Sequence, residues 1–338
     1  MQKNIQKTMK NIRFAALCSV AALALPLAAR AANPDQTGIW TLQDENSSVS
    51  TTFPHDRYYV NGAHLSWTSP DGFVPDAVSN LGDVLFGNGT QRISLGLTQQ
   101  LYTPFDTKST NPPLNDEPYA GYLALNLALI QDSATTRSVL GANIGVIGAG
   151  AGGEIVQNSF HTIIGQGGTH GWAHQLPTEP AVDFIASQTW RMPLGQLAGL
   201  ETDALPQISG SAGLTADYVQ PALGFRIGQG LASDFGPSLL APSPSGGDAY
   251  SEVQPLAWYV FGQGAAKAVG YDETLQGSVF HHSRNVPVTR MVGTFELGGA
   301  IIWNGLRFSY TQVFQTSRFH GEKGGIHEFG SFTLSRCF

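Results

Sequence analysis

The sequence predicts an all-β chain: a transmembrane antiparallel β-barrel of about 12 strands, with a short helix in an extracellular loop. Three observations predict it. The chain opens like an exported protein, its composition is rich in glycine and poor in charge, and its clearest segment alternates leucine with small or polar residues.

The first of these is the start. Lys3, Lys7, Lys10 and Arg13 precede an apolar run from Phe14 to Ala29, and small residues follow around Ala29-Arg30-Ala31. This is the pattern of a secretory signal peptide over residues 1–31, leaving 32–338 as one barrel domain. Of the chain's 18 cations, five fall in that leader with none of the 25 acids. The remainder carries 13 cations against 25 acids, a net −12. So acidic a chain lacks the basic footprint of a nucleic-acid partner. Cys337 is the one cysteine outside the leader, so no intrachain disulfide is expected.

Composition supplies the second observation. Glycine accounts for 40 of 338 residues, and charged residues for 13%, about half the usual ~25%. A membrane barrel sets lipid on one face of each strand and a narrow interior on the other, so both charge and bulk are disfavoured.

The strand-like segments come in order. Gly38–Asp44 is first and Arg57–Thr68 second, followed by a Pro/Gly/Asp-rich connection. Gln91–Tyr102 is third. In Tyr119–Ile130, Leu123, Leu125, Leu127 and Leu129 occupy one face, while Tyr122, Ala124, Asn126 and Ala128 occupy the other. That strict period of two is a strand signal. Ser138–Ile147, Ala181–Arg191, Gln207–Tyr218, Ala222–Gly230, Val253–Ala268, Leu275–His282, Val292–Trp303 and Leu306–Thr316 continue the series, and a last strand ends at Phe338. Ser233–Gly247 reads as a loop rich in Ser, Pro and Gly.

One stretch breaks the pattern. Ser138–Ile147 enters a glycine turn, and a short amphipathic helix leaves it with Gln157 and His161 four residues apart on one face. Gly148, Gly150 and Gly153 match the G-x-G-x-x-G dinucleotide fingerprint. The helix is too short for that role, and Glu179, the acid at the right distance, lies in a Pro-Thr-Glu-Pro turn. A nucleotide cofactor is therefore not expected.

Five ordered motifs carry a resemblance. Asp56-Arg57-Tyr58-Tyr59-Val60-Asn61-Gly62 leads, then Tyr102-Thr103-Pro104 and Pro118-Tyr119-Ala120-Gly121. Gly152-Gly153-Glu154 with Val156-Gln157-Asn158-Ser159-Phe160-His161 follows, and Gly171-Trp172 with Gln175-Leu176 and Glu179-Pro180 closes the set. Together they resemble the outer-membrane lipid A 3′-O-deacylases. The resemblance covers most of 40–190. It implies a twelve-stranded barrel in the bacterial outer membrane and lipid A of lipopolysaccharide as substrate. It also implies calcium-dependent hydrolysis of the 3′-linked acyloxyacyl ester. His161 carries over as the catalytic base and Gln157 as its neighbour.

Two departures stand out. The family's Asn-Asp pair meets Gln43-Asp44-Glu45-Asn46-Ser47 here: aligning on Glu-Asn puts Ser47 in the place of the Asp, and a shift by one puts Asp44 and Glu45 at the pair. The family's threonine is Val60. By resemblance Ca²⁺ would draw its oxygen ligands from Asp44, Glu45 and Asn46 and polarise the ester carbonyl. Arg57 and Lys108 are the candidates to hold a substrate phosphate. Two alternatives fit the same fold class: an outer-membrane phospholipase, though no G-x-S-x-G elbow is present, or a non-enzymatic porin-like barrel.

Overall fold

A computed structural model describes residues 37–50, 56–241 and 249–338; the expected leader lies outside them. Alternating residues build strands β1 (Ile39–Asn46), β2 (Tyr58–Thr68), β3 (Thr90–Thr103), β4 (Ala120–Asp132) and β5 (Thr136–Ile147). Strand β6 runs in two stretches, Glu179–Trp190 and Met192–Leu197, both paired with β7 (Leu200–Gly213). Strands β8 (Ala216–Gln229), β9 (Leu256–Asp272), β10 (Met291–Trp303), β11 (Leu306–Gln315) and β12 (His327–Cys337) complete the wall.

Each strand pairs antiparallel with its chain neighbours. β1 meets β12 in register from Ile39 opposite Cys337 to Asn46 opposite Gly330, closing a 12-strand barrel. Closure satisfies every strand edge, which a membrane demands.

The alternation in β4 sorts as the sequence predicts. Leu125 and Leu127 are exposed on the outer wall, whereas Ala124 and Asn126 are buried inside. Inward polar side chains then pair across neighbouring strands. His64 Nδ1 lies 2.6 Å from Thr98 Oγ1, which donates to Asn126 Oδ1, and Asn126 Nδ2 donates to Asn143 Oδ1 at 2.7 Å.

The start of β1 and the end of β12 lie at one mouth of the barrel. There the connections 133–135, 198–199 and 304–305 are tight turns, the mark of a periplasmic end, and only 69–89 and 230–255 are long. The opposite mouth gathers the loops 104–119, 148–178, 273–290 and 316–326.

Three elements differ from the sequence reading. The connection after β2 holds a helix, α1 (Asp76–Phe86), whose Gly82 sits against Leu129, Gln91 and Gln131 on the outer wall. Leu275–His282 is not a strand. Asp272 Oδ1 accepts from Thr274 N at 3.1 Å and starts a one-turn helix, Glu273–Gln276, which Gly277 ends with φ of 80°. Gln207–Tyr218 straddles a turn, because the Asp183 carboxylate of β6 accepts from Thr215 N at 2.9 Å and bends the chain there.

The loop after β8 is the largest surprise. It turns into the lumen instead of hanging free. Asp234 accepts from Arg226 Nη1 at 2.6 Å, from Arg307 Nη2 at 2.9 Å and from the Tyr259 hydroxyl at 2.8 Å. Farther on, Leu240 N donates to Glu45 Oε1 at 2.7 Å, while Gln43 Nε2 donates to Ser238 O and Gln100 Nε2 to Leu240 O. The segment thus climbs from the periplasmic mouth toward the outer half and occupies part of the bore.

Candidate active site at the outer mouth

The glycine turn after β5 leads into helix α2 (Gly153–Ile163). Gly152 takes the left-handed conformation (φ 70°, ψ 20°) that lets the chain turn into the helix. Gly153 must be bare, because a Cβ there would stand 2.6 Å from Trp172 Cη2. Close contact with Trp172 draws the helix down onto the barrel rim. Gly153, Gln157 and His161, at successive i+4 positions, form its buried face. Ile155, Val156, Phe160 and Ile163 form its exposed face. Polar side chains point inward and apolar ones outward, the reverse of a soluble surface helix.

A polar chain runs under this helix. Trp172 Nε1 donates to Gln157 Oε1 at 3.0 Å, and the Thr169 hydroxyl lies 3.1 Å from the same oxygen. These contacts fix the amide, so Gln157 Nε2 donates to Asp56 Oδ1 at 3.1 Å. The other Asp56 oxygen is 3.2 Å from His161 Nε2. His161 Nδ1 is 3.1 Å from the Gly167 carbonyl. Both ring nitrogens face oxygen acceptors, so the imidazolium is favoured. The hydrogen bond to Asp56 raises the His161 pKa above its ordinary value, and burial opposes it.

Asp56 joins the two residues that the sequence places on one helix face. Asp56 stands within the first of the ordered motifs, where the sequence alone assigns it no role. Its partners lie about a hundred residues downstream, at separations no local pattern reveals. Trp172 likewise stands in a motif without a role, and Thr169 lies outside every motif.

Gln157 has its carbonyl taken by Trp172 and Thr169 and one amide N–H by Asp56, so it positions Asp56.

The proposed cation ligands do not converge. Asp44 and Glu45 are consecutive in β1 and therefore point to opposite faces. Glu45 is fully buried in the lumen, where it accepts from the Tyr59 hydroxyl at 2.8 Å, from Gln43 and from two backbone N–H groups of the inner segment. Asp44 is outside, accepting from Asn61 Nδ2 at 2.9 Å. Asn46 spends its side-chain oxygen on Ser48 N. Ser47 is buried and directs its hydroxyl to Val60 O at 3.4 Å. Val60 packs among Leu101, Tyr119 and Trp172. These residues do not fit a hard cation. Among the described residues no group of three or more His, Cys, Asp or Glu side chains could hold a metal ion.

Arg57 follows Asp56 at the rim and lies over the Phe105 ring. Lys108 is exposed on the same loop as Phe105, where its backbone N–H bonds Asp106 Oδ1. The structure does not bring Lys108 to His161.

Comparison with known proteins supports the reading of the fold. The solved structure of LpxR from Salmonella typhimurium superposes with a TM-score of 0.74 at 19% identity, covering 89% of this chain and 100% of that one. The β domain of the Bordetella autotransporter BrkA gives 0.41 at 10% identity over 89% and 99% of the two chains. The NalP translocator domain from Neisseria meningitidis gives 0.36 at 8% identity over 99% and 98%. No curated protein sequence matches the chain. The family model described as outer membrane protein LpxR matches residues 14–338, and the chain accordingly belongs to the LpxR family of outer-membrane β-barrel proteins.

Proposed function

We propose that this protein is a lipid A 3′-O-deacylase, hydrolysing the 3′-linked acyloxyacyl ester at the outer mouth of the barrel. The observation that carries the reading is the His161–Asp56–Gln157 chain, buried under a helix whose apolar face looks outward. A substrate with its sugar at the membrane surface and its acyl chains in the leaflet meets both at once. Family membership supports the substrate class.

Gly167 O holds Nδ1, which leaves Nε2 as the working nitrogen. When Nε2 has lost its proton, its lone pair and the Asp56 carboxylate 3.2 Å away repel, and the two side chains must part to admit a water that donates to both. Nε2 then takes a proton from that water as its oxygen attacks the ester carbonyl carbon. The carbon–oxygen bond to the sugar breaks, and the proton passes to the leaving alcohol. The products are a carboxylic acid and a free hydroxyl. Since Asp44, Glu45 and Asn46 do not fit a cation, no step is assigned to one.

The segment folded into the lumen, which narrows the bore, favours this reading over a porin-like barrel. The test is mass spectrometry of lipid A from cells making the wild type or His161→Ala. Loss of one acyloxyacyl chain with the wild type, and its retention with the variant at equal barrel yield, is expected. An identical product pattern from both would overturn the assignment.

A further inference from the structure

We propose that helix α1 is an interfacial anchor. It lies in the periplasmic leaflet, takes zwitterionic phospholipid against its apolar face, and fixes the depth of the wall that carries α2. This inference goes beyond the hydrolase reading and does not depend on it.

The helix sits on the lipid side of the barrel. In β4 the odd-numbered side chains point outward, as the exposed Leu125 and Leu127 show. Leu129 and Gln131 belong to the same face, yet both are buried, and Gly82 of α1 is what lies over them. Gln91, opposite Gln131 in the register of β3 and β4, donates to Ser79 O at 3.1 Å and to Asp83 Oδ1 at 2.9 Å. Gln131 Nε2 donates to Gly87 O just past the helix. These ties seat α1 on a wall otherwise faced with leucine.

Around the helix axis the side chains fall into three arcs, at about 100° per residue. Ser79, Gly82 and Phe86 form the arc against the wall. Asp76, Asn80 and Asp83 lie on one side of it. Val78, Leu81 and Leu85 lie on the other side and are exposed, and Val84, farthest from the wall, is 82% exposed. A helix lying flat at a membrane interface beside a protein wall has this order: water, wall, acyl chains.

Tryptophan marks the level of that interface. Of the six tryptophans in the chain, Trp40, Trp67, Trp190, Trp258 and Trp303 stand on the outer face at the periplasmic ends of their strands. Such a girdle marks the boundary between membrane and water. Phe73, on the approach to α1, meets the Trp67 ring edge-on at 5.5 Å. The helix is therefore at the boundary, and its apolar arc continues the lipid-facing wall. Headgroup charge follows from the same connection. Asp71, Asp76 and Asp83 lie in 69–89 with no Lys or Arg. An anionic surface would repel this segment, and a zwitterionic one would not.

The strands that hold α1 also hold α2 at their other end. Gln99 Nε2 of β3 donates to Ala151 O at 2.7 Å. Gly121 of β4 lies against the start of α2, where a Cβ would stand 3.1 Å from Gly153 N. The ten residues from Gly121 to Gln131 span about 34 Å along the strand, or about 26 Å in height at the usual tilt, close to the ~25 Å apolar band of such barrels. With α1 held at the inner boundary, α2 is held at the outer one.

Fluorescence quenching in phosphatidylcholine vesicles tests both halves. Full-length protein carrying Cys337→Ser is labelled with a nitrobenzoxadiazole dye at Leu85→Cys, at Asn80→Cys or, on the exposed face of α2, at Ile163→Cys. Folding is checked by heat-modifiable gel mobility. Lipid with a nitroxide high on its acyl chain should quench the Leu85 label, and aqueous iodide the Asn80 label. Equal iodide quenching at both positions would overturn the insertion. Protection at Leu85 that grows with protein density, without nitroxide quenching, would put a second copy on the face and overturn it too. Stronger nitroxide quenching at Leu85 after adding phosphatidylglycerol would overturn the zwitterionic preference. Depth is read at the Ile163 label. Leu81→Asp with Leu85→Asp should shift its ratio of shallow to deep nitroxide quenching, and Leu85→Ser is read in the same way should the double variant not fold. An unchanged ratio in a folded variant would overturn the depth role.

Discussion

Replacing Asp56 by Asn should slow the enzyme and move its pH profile in one direction. In the wild type Asp56 accepts from Gln157 Nε2 at 3.1 Å and pairs with His161 Nε2 at 3.2 Å. Asn offers one oxygen and one NH₂ in that space. With its oxygen toward Gln157, its NH₂ confronts His161, and the negative charge is gone. A hydrogen bond to a charged group is worth about 1.5–3 kcal/mol. Solvent reaches Asp56, whose side chain is 28% exposed, so the lower half of that range applies. The expected loss is roughly 10- to 30-fold in kcat/KM at the plateau. The pH dependence follows from the same contact. His161 must lose a proton to act as base, and its hydrogen bond to Asp56 holds its pKa up against burial. Without the carboxylate the burial effect remains and lowers the pKa. The rise in kcat/KM should therefore begin at lower pH in the variant. Acyl-chain release from lipid A, followed by mass spectrometry across pH, measures both effects. A rise at unchanged or higher pH, or a kcat/KM within twofold of wild type, would refute the role assigned to Asp56.

Three further outcomes are expected. Dialysis against EDTA should leave acyl release within about twofold of its starting value, because Asp44 and Glu45 lie on opposite faces of β1; a loss restored by added Ca²⁺ would contradict this. Arg318→Ala should free the outer loops, since Arg318 ties Glu117 at 2.8 Å to Thr274 and Asp272. Breaking such a buried tie costs about 3 kcal/mol or more, with the cost limited because burial already pushes the Glu117 pKa up to about 8. Limited proteolysis within 104–119 and 316–326 of an intact barrel should detect the change. In planar bilayers the wild type should show no steady conductance, whereas excision of 231–241 should produce discrete open channels; equal conductance from both would mean the bore is not blocked by this segment.

What was legible in the sequence is what depends on period. The Leu123–Leu129 alternation places its own residues on the two faces of β4, and the four-residue spacing of Gln157 and His161 puts both on one helix face. The same rule, applied to β1, separates Asp44 from Glu45, so a cluster that looks compact in sequence is divided in space. Contacts between distant segments were not legible. Asp56 reaches His161, and Asp183 bends the chain at Thr215, through hydrogen bonds that leave no local periodic trace. The loop after β8 shows the same limit. Its Ser, Pro and Gly content marks it as irregular, but only the partners Arg226, Arg307 and Glu45 draw it inside.

That inner segment constrains how the molecule is assembled. It bonds to Gln43 and Glu45 on β1 and to Gln100 on β3, and Asp234 bonds to Arg226 on β8 and Arg307 on β11. A closed barrel would have to swallow the segment through a bore already lined with side chains. An unclosed sheet can instead curl around it. The seam between β1 and β12 is therefore expected to zip last, with the filling already seated. The ion pairs of Asp234 then serve as a template around which the wall is bent, and the barrel enters the membrane with its interior complete.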